Sequence, residues 1–125
     1  MTKGDDIQER LLRLGVGMMA LCDELPSTIA GKHIAGQLLR CGTSVAPNYA
    51  EARGAESASD FVHKLGVVLK ELNETEMWLE MLRMRGMLPE TRIVAVHKEC
   101  GELCRIIAVS RRTVRERMKG QVSMK

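Results

Sequence analysis

At 125 residues the chain has the length of one domain, and a domain of this size buries roughly two-thirds of the surface that its unfolded chain exposes. Aromatic residues make up only 2% of the sequence while Leu, Met, Ala, Glu and Arg are plentiful, so the composition excludes a sheet-rich domain and predicts an all-helical one. The net charge of +3 is uneven, because residues 1–104 hold 12 Lys/Arg against 15 Asp/Glu and residues 105–125 hold 7 Lys/Arg against Glu116 alone, which excludes a uniformly basic domain.

The first predicted helix covers residues 5–25 and ends before Pro26, whose ring disfavours helical backbone in the preceding residue. Asp5 and Asp6 suit its N-terminal end, where unpaired N–H groups favour negative charge. Its apolar residues recur at steps of four and three, the spacing of a helix that packs against others. They are Ile7, Leu11, Leu14, Met18, Leu21 and Leu25.

Three more helices are expected at residues 28–53, 58–85 and 89–119, followed by a flexible basic tail at 120–125, all within one domain. The second helix is expected to be capped by Ser27 or Thr28 and to break at Gly54. The third is expected to be capped by Ser57 or Ser59 and to end at Gly86, and Pro89 opens the fourth. The stripe of the second helix is Ile34, Leu38, Cys41, Val45, Asn48 and Ala52. That of the third is Phe61, Leu65, Val68, Leu72, Thr75, Leu79 and Leu82. That of the fourth is Ile93, Val96, Cys100, Leu103, Ile107, Ser110 and Val114. Four long helices with short connections predict an all-α, up-down-up-down antiparallel bundle packed near ~20°.

Pro47 lies inside the second predicted helix. It lacks the N–H that the Thr43 carbonyl would accept, and its ring crowds that carbonyl. The stripe of the helix nevertheless continues to Ala52, and the hydroxyls of Thr43 and Ser44 are placed to bond freed carbonyls. The sequence therefore predicts one continuous helix with a kink at Pro47.

Apolar residues also lie outside the stripes. They are Leu12, Val16 and Met19 on the first helix and Val62, Val67, Leu69, Met77, Trp78 and Met81 on the third. Stripes of this width predict a second, intermolecular contact. The alternative is that a wide stripe reflects deep burial within one bundle.

Polar residues form a band on one face of the second helix and a comparable band on the third. The bands are Gln37, Arg40, Ser44, Asn48 and Glu51, and Asp60, Lys64, Glu71 and Glu74, with Trp78 beyond them. In an antiparallel pair, Arg40 is expected to reach Glu71 or Glu74, with Ser44 and Asn48 filling the remaining hydrogen bonds. The alternative is two solvated faces.

The four cysteines lie inside helical patterns, which favours reduced, partly buried thiols over a disulfide framework. His97, Cys100 and Cys104 share one helical face, but zinc needs a fourth ligand, so no metal is expected. No apolar run approaches the ~20 residues of a membrane span. The N-terminal sequence MTKGDDIQER has no signal-peptide pattern, and a cytoplasmic location without membrane contact is expected.

No arrangement of residues in the sequence predicts catalysis. Asp60 and His63 form one carboxylate–histidine pair, whereas a di-iron bundle needs such a pair on each of two helices, and neither His33 nor His97 follows a carboxylate at that spacing. The chain also lacks a glycine-rich phosphate loop and a nucleophile–base motif. We therefore expect a protein that is not an enzyme and needs no cofactor.

The predicted fourth helix carries a basic face of Arg105, Arg112, Arg115 and Lys119, flanked by Arg111 and Arg117. Such a face can meet phosphates at helical spacing. No aromatic residues alternate with the arginines to stack bases, so sequence-specific recognition is not expected. The structural alternative is that cations near a helix C-terminus stabilise the helix dipole.

Three polar segments carry a resemblance to a known family. They are Gln37-x-x-Arg40-x-x-x-Ser44-x-x-x-Asn48-x-x-Glu51, Asp60-Phe61-x-x-Lys64-Leu65, and Lys70-Glu71-x-x-Glu74-Thr75-x-x-Trp78-Leu79. Over roughly residues 5–118 the chain resembles the four-helix-bundle proteins encoded in intervening sequences of 23S ribosomal RNA genes. The family often has glycine directly after the position of Glu51, whereas this chain has Ala52 and places glycine at Gly54, so the turn is expected to start later.

The resemblance implies a homo-oligomer, with a five-fold ring as the expected form, and a role in nucleic-acid binding. The chain is also similar in architecture to the accessory variability proteins of diversity-generating retroelements, which work with a reverse transcriptase. Neither group supplies a catalytic site. The polar residues of the family correspond to Arg40, Ser44, Asn48, Glu51, Lys70, Glu71 and Glu74, which are expected to hold the bundle and its interfaces together.

Two hypotheses for the function follow. In the first, the protein is a homo-oligomeric bundle that binds RNA without sequence preference through its basic C-terminal helix. In the second, it is a protein-interaction scaffold, for example an accessory partner of a reverse transcriptase, and docks through apolar residues around Trp78, Met77 and Met81.

Overall fold

The computed structural model describes residues 1–123, and the side chains of residues 1–121. Its helices are α1 (Lys3–Asp23), α2 (Ile29–Arg53), α3 (Ala58–Arg85) and α4 (Glu90–Ser123). Successive helices pack side by side, and residues 1–123 contain no strand, so the predicted all-α four-helix bundle is confirmed. No helix in this part of the chain combines the length and apolarity that crossing a bilayer requires.

A capping box begins α1 earlier than the sequence pattern indicated. The hydroxyl of Thr2 accepts the Asp5 N–H at 3.1 Å, and the Asp5 carboxylate accepts the Thr2 N–H at 3.1 Å. The helix therefore starts at Lys3 instead of Asp5. The backbone hydrogen bond from Thr2, together with the Arg53 guanidinium, lowers the pKa of Asp5.

Helix α1 ends at Asp23, two residues before its predicted end at residue 25. The other helix ends follow the predicted signals except at the C-terminus. Thr28 and Ser57 accept the capping bonds of α2 and α3. Gly86 ends α3 in the left-handed conformation, with φ of 71°. Helix α4 continues to Ser123, past its predicted end at residue 119. Residues 120–123 of the expected tail are therefore helical, and residues 124–125 lie outside the described residues.

The core is one continuous cluster of apolar side chains contributed by all four helices. Nearly all of the predicted stripe positions are buried, including the polar Thr75. The largest fully buried side chains are Leu11, Met18, Leu21, Leu38, Val45, Leu65, Leu72, Leu79, Leu82, Ile93, Leu103 and Ile107. Burial of these side chains is the main force that stabilises the bundle.

Tyr49, and not Asn48, continues the buried face of α2. Tyr49 is 6% exposed, while Asn48 is half-buried at the edge of the core. The amide of Asn48 donates to the Ser44 carbonyl at 2.9 Å. The stripe assignment was wrong at this position, because steps of three and four from Val45 are both helical and the aromatic ring has more to gain from burial than the amide.

Helix α2 runs through Pro47 without interruption, as predicted. The Thr43 hydroxyl donates to the Leu39 carbonyl, and the Ser44 hydroxyl donates to the Cys41 carbonyl at 2.8 Å. The expectation that these hydroxyls bond the carbonyl freed by Pro47, which is that of Thr43, is therefore wrong. The kink at Pro47 stays a prediction.

Helices α1 and α4 close the bundle with charged side chains. Arg10 Nη2 lies 2.6 Å from Glu99 Oε1 and 2.9 Å from Glu102 Oε1, and Arg92 pairs with Glu24. The hydrogen bond to Glu99 raises the pKa of Arg10, and the bond from Arg92 lowers the pKa of Glu24. Because α1 packs against α2 and α4 but not against α3, α1 and α3 lie diagonally across the bundle.

Helices α1 and α2 approach closely where Gly15 and Gly42 face each other. A Cβ added at Gly42 would lie 2.4 Å from Met18 Cγ and 3.0 Å from Met18 Cβ, atoms too near the backbone of α1 to move aside. We expect Gly42→Ala to lower the free energy of unfolding by about 1–3 kcal/mol, since overpacking forces the helices apart. Urea unfolding followed by circular dichroism measures this change.

Gly36→Ala in the same helix is the matched control. A Cβ at Gly36 meets no atom within 4 Å, so it gains helix propensity without a clash. The free energy of unfolding should rise by about 0.5–1 kcal/mol. A loss of stability at Gly36 as large as that at Gly42 would contradict the close approach of α1 and α2.

Candidate nucleic-acid interface and polar network

An ion-pair network connects the polar bands of α2 and α3. Arg40 Nη1 lies 3.1 Å from Glu71 Oε2, and the other terminal nitrogen of Arg40 contacts Glu74. The indole N–H of Trp78 donates to Glu74 Oε2 at 3.3 Å. The side chain of Glu71 is 12% exposed, whereas that of Arg40 is 49% exposed, so the network extends from the edge of the core to the surface.

Ser44, Asn48 and Glu51 do not join this network. The side chains of Ser44 and Asn48 bond to backbone carbonyls of their own helix, in contrast to the cross-helix role expected for them. Glu51 pairs instead with Lys64, with Oε2 and Nζ 3.2 Å apart. The polar band of α2 thus makes two separate connections to α3.

Trp78 closes the outer end of the network. Its ring meets that of His33 edge to face, with centroids 5.8 Å apart and planes at 75°. This geometry is a favourable aromatic contact between the start of α2 and the end of α3. The network therefore fixes the α2–α3 pair and presents no nucleophile beside a general base.

The helical face of His97, Cys100 and Cys104 packs against α3. Cys100 Sγ donates to the Leu72 carbonyl at 3.3 Å, and His97 Nε2 lies 3.4 Å from Glu80 Oε2. The hydrogen bond with Cys104, together with burial, raises the pKa of Cys100. Within the described residues, no three His, Cys, Asp or Glu side chains are arranged to hold a metal ion.

The predicted basic residues of α4 fall into two groups. Arg111 is half-buried against α3, where its Nε donates to the Val62 carbonyl at 3.1 Å. Its Nη2 lies 3.0 Å from the position that a Cβ would occupy if residue 66 were not glycine. Arg111 is thus a packing residue, which the sequence did not reveal because the contact depends on a glycine of another helix. The exposed basic residues are Arg105, Arg112, Arg115, Arg117 and Lys119.

The end of α4 extends past the start of α3. Since Arg111 contacts Val62 and the helices are antiparallel, Arg115 lies level with the first turn of α3, which starts at Ala58. Residues 116–123 continue the helix for about 12 Å at ~1.5 Å per residue. Exposed arginines beside this projection form a positive surface in which Glu116 is the single acidic residue after Glu102.

Comparison with known proteins shows both a sequence family and solved structures that resemble the chain. The sequence model of the 23S rRNA-intervening sequence protein family matches residues 6–109. A crystal structure of a protein with unknown function from the S23 ribosomal protein family of Bacteroides thetaiotaomicron superposes with a TM-score of 0.81 at 29% sequence identity, covering 89% of this chain and 99% of that chain. No functionally curated protein matches the chain.

The network around Arg40 predicts a measurable loss of stability on truncation. Arg40→Met leaves the buried Glu71 carboxylate without its cation, so the free energy of unfolding should fall by about 1–3 kcal/mol. Arg13→Met is the control, because Arg13 makes an exposed pair with Glu9 within one helix and should have no measurable effect. Equal stability of the two variants in urea unfolding would show that the Arg40 network is only a solvated surface.

Proposed function

The chain belongs to the 23S rRNA-intervening sequence protein family, and from this we propose that it is a non-enzymatic homo-oligomer that binds RNA through the C-terminal end of α4. The observation that carries the proposal is the exposure of Arg112, Arg115 and Arg117 on α4, which continues past the start of α3 from residue 116 on. A polyanion can approach this part of the helix from several sides. RNA is favoured over DNA because the description of the family refers to ribosomal RNA.

The recognition is electrostatic. Lysines and arginines that neutralise phosphates release condensed counterions, which gives binding that is independent of sequence and weakens as salt rises. Guanidinium groups suit this role because their planar fork donates to two phosphate oxygens at once. Arg105, seven residues before Arg112, extends the basic surface towards the start of α4. Arg111 is held against α3.

The basic end of α4 lies beyond the segment that the family model matches. The matched segment ends at residue 109, so Arg112, Arg115, Arg117 and Lys119 all follow it. RNA binding is therefore proposed for the C-terminal part of this protein and not for the bundle that the family shares.

Self-association is supported by two apolar surfaces on opposite sides of the bundle. On α1, Leu12, Val16 and Met19 are 54%, 65% and 53% exposed, and on α3 the exposed residues are Met77, Met81 and Met84. Because α1 and α3 are diagonal, one copy can present its α1 surface to the α3 surface of the next. Such a head-to-tail contact closes into a ring, proposed here as five-fold, and repeats the basic end for avid binding.

The same methionines support a second candidate function, a protein-interaction scaffold. Met77 and Met81 are 56% and 51% exposed on either side of the half-buried Trp78. Flexible methionine surfaces adapt to partner proteins. In this case a partner such as a reverse transcriptase would occupy the α3 surface, and the arginines of α4 would contribute little.

The RNA-binding proposal predicts a specific loss on charge reversal. The double variant Arg112→Glu, Arg115→Glu should bind a fluorescently labelled RNA hairpin far more weakly and show a slope of log affinity against log salt reduced by about two. Both side chains are exposed, so circular dichroism should be unchanged. Fluorescence anisotropy over a series of salt concentrations measures the effect.

The matched control reverses two exposed lysines elsewhere, Lys32→Glu and Lys98→Glu, and alters the net charge equally. It should retain most of the hairpin affinity. Equal losses in the two double variants would assign binding to net charge alone. Unchanged binding in the arginine variant would remove the proposed site.

A further inference from the structure

A groove lies at the end of the bundle beside the basic projection. It has a volume of about 260 Å³ and is lined by Lys3, Phe61, Val109, Ser110, Thr113, Val114 and Arg117. An adjoining cavity of about 230 Å³ is lined by Lys3, Arg105, Ile106 and Val109. The two share Lys3 and Val109 and therefore lie side by side where the start of α1 meets α4.

The lining of the groove and the adjoining cavity combines apolar side chains with cationic ones. Phe61, Val109 and Val114 provide apolar walls, with Ile106 in the adjoining cavity. The charged lining residues, Lys3, Arg105 and Arg117, are all cations, and no carboxylate lines either cavity within the described residues. A complementary ligand is therefore apolar over most of its surface and carries negative charge at its edge.

Polar groups for a directional contact are also present. The Thr113 hydroxyl donates to the Val109 carbonyl at 2.9 Å, which leaves its oxygen lone pairs as acceptors. Ser110 adds a second hydroxyl to the wall. An apolar, planar ligand with donors at its edge and an attached anion has the chemistry of a nucleotide.

We propose that this groove holds one unstacked nucleotide of a single-stranded RNA segment. The base lies against Phe61 and Val109, and its phosphate lies between Lys3 and Arg117, which line the same cavity. The inference rests on the proposed function, because it names the place where an RNA bound at the end of α4 would insert a base. Bases in a duplex stay stacked and cannot enter, so single-stranded RNA should bind more tightly than the duplex of the same sequence.

Val109 allows a direct test because it is 54% exposed and its replacement spares the core. Val109→Glu places a carboxylate in the groove and should weaken binding of a 12-nucleotide single-stranded RNA by about ten-fold, the effect of losing one stacked base. Val94→Glu is the matched control, since Val94 is 51% exposed near the opposite end of the same helix. It should leave that affinity nearly unchanged.

Phe61 offers a second measurement that needs no amino-acid substitution in the groove. The chain has one Phe and one Trp, so fluorine-labelled phenylalanine gives one resonance at the groove and fluorotryptophan gives one at the far end. Adenosine monophosphate should shift the Phe61 resonance and leave that of Trp78 in place. Inorganic phosphate should shift Phe61 less.

The outcomes separate the nucleotide site from the RNA-binding proposal. If the wild type binds single strand and duplex equally, and both valine variants match it, the nucleotide site is wrong while RNA binding by the arginines stands. If Val109→Glu lowers the mass of the oligomer and adenosine monophosphate shifts nothing, the groove is a contact between copies, which also overturns the site. If the wild type binds neither RNA, the proposed function fails and the site fails with it.

Discussion

Two backbone carbonyls of α3, those of Leu72 and Val62, accept hydrogen bonds from Cys100 and Arg111 of α4 at 3.3 Å and 3.1 Å. These contacts define the antiparallel register of the two helices, and the exposed surface of the protein depends on that register. A longer α4 in this register has to project past the start of α3. The same register holds Arg111 against α3 and leaves Arg112 and Arg115 exposed, and the α4 residues from Val109 to Arg117 form one wall of the groove.

The architecture was predictable because leucines and other apolar residues repeat with the helical period through all four segments. Local end signals such as Gly86 were equally clear. The position of Tyr49 was missed, since both possible steps along α2 are helical and only packing decides between them. Arg111 and the groove could not be predicted, because each combines residues far apart in the sequence through the α3–α4 register.

The polar residues divide into stabilising and accessible groups. Arg40 and Glu71 form an ion pair between α2 and α3, and Arg10 and Glu99 form one between α1 and α4. These pairs connect neighbouring helices at the edge of the core. The cations at the end of α4 face solvent instead, so an RNA can contact them without disrupting the bundle. Stability and the proposed binding thus use different charges.

The central claim is that copies of this chain assemble and together bind RNA through the ends of α4. Size-exclusion chromatography with light scattering, on the full chain with and without a structured RNA at low and moderate salt, tests both parts at once. The account predicts a mass that is a multiple of 13.9 kDa, which gains RNA at low salt and releases it as salt rises. A monomer whose mass ignores RNA at both salt concentrations would contradict it.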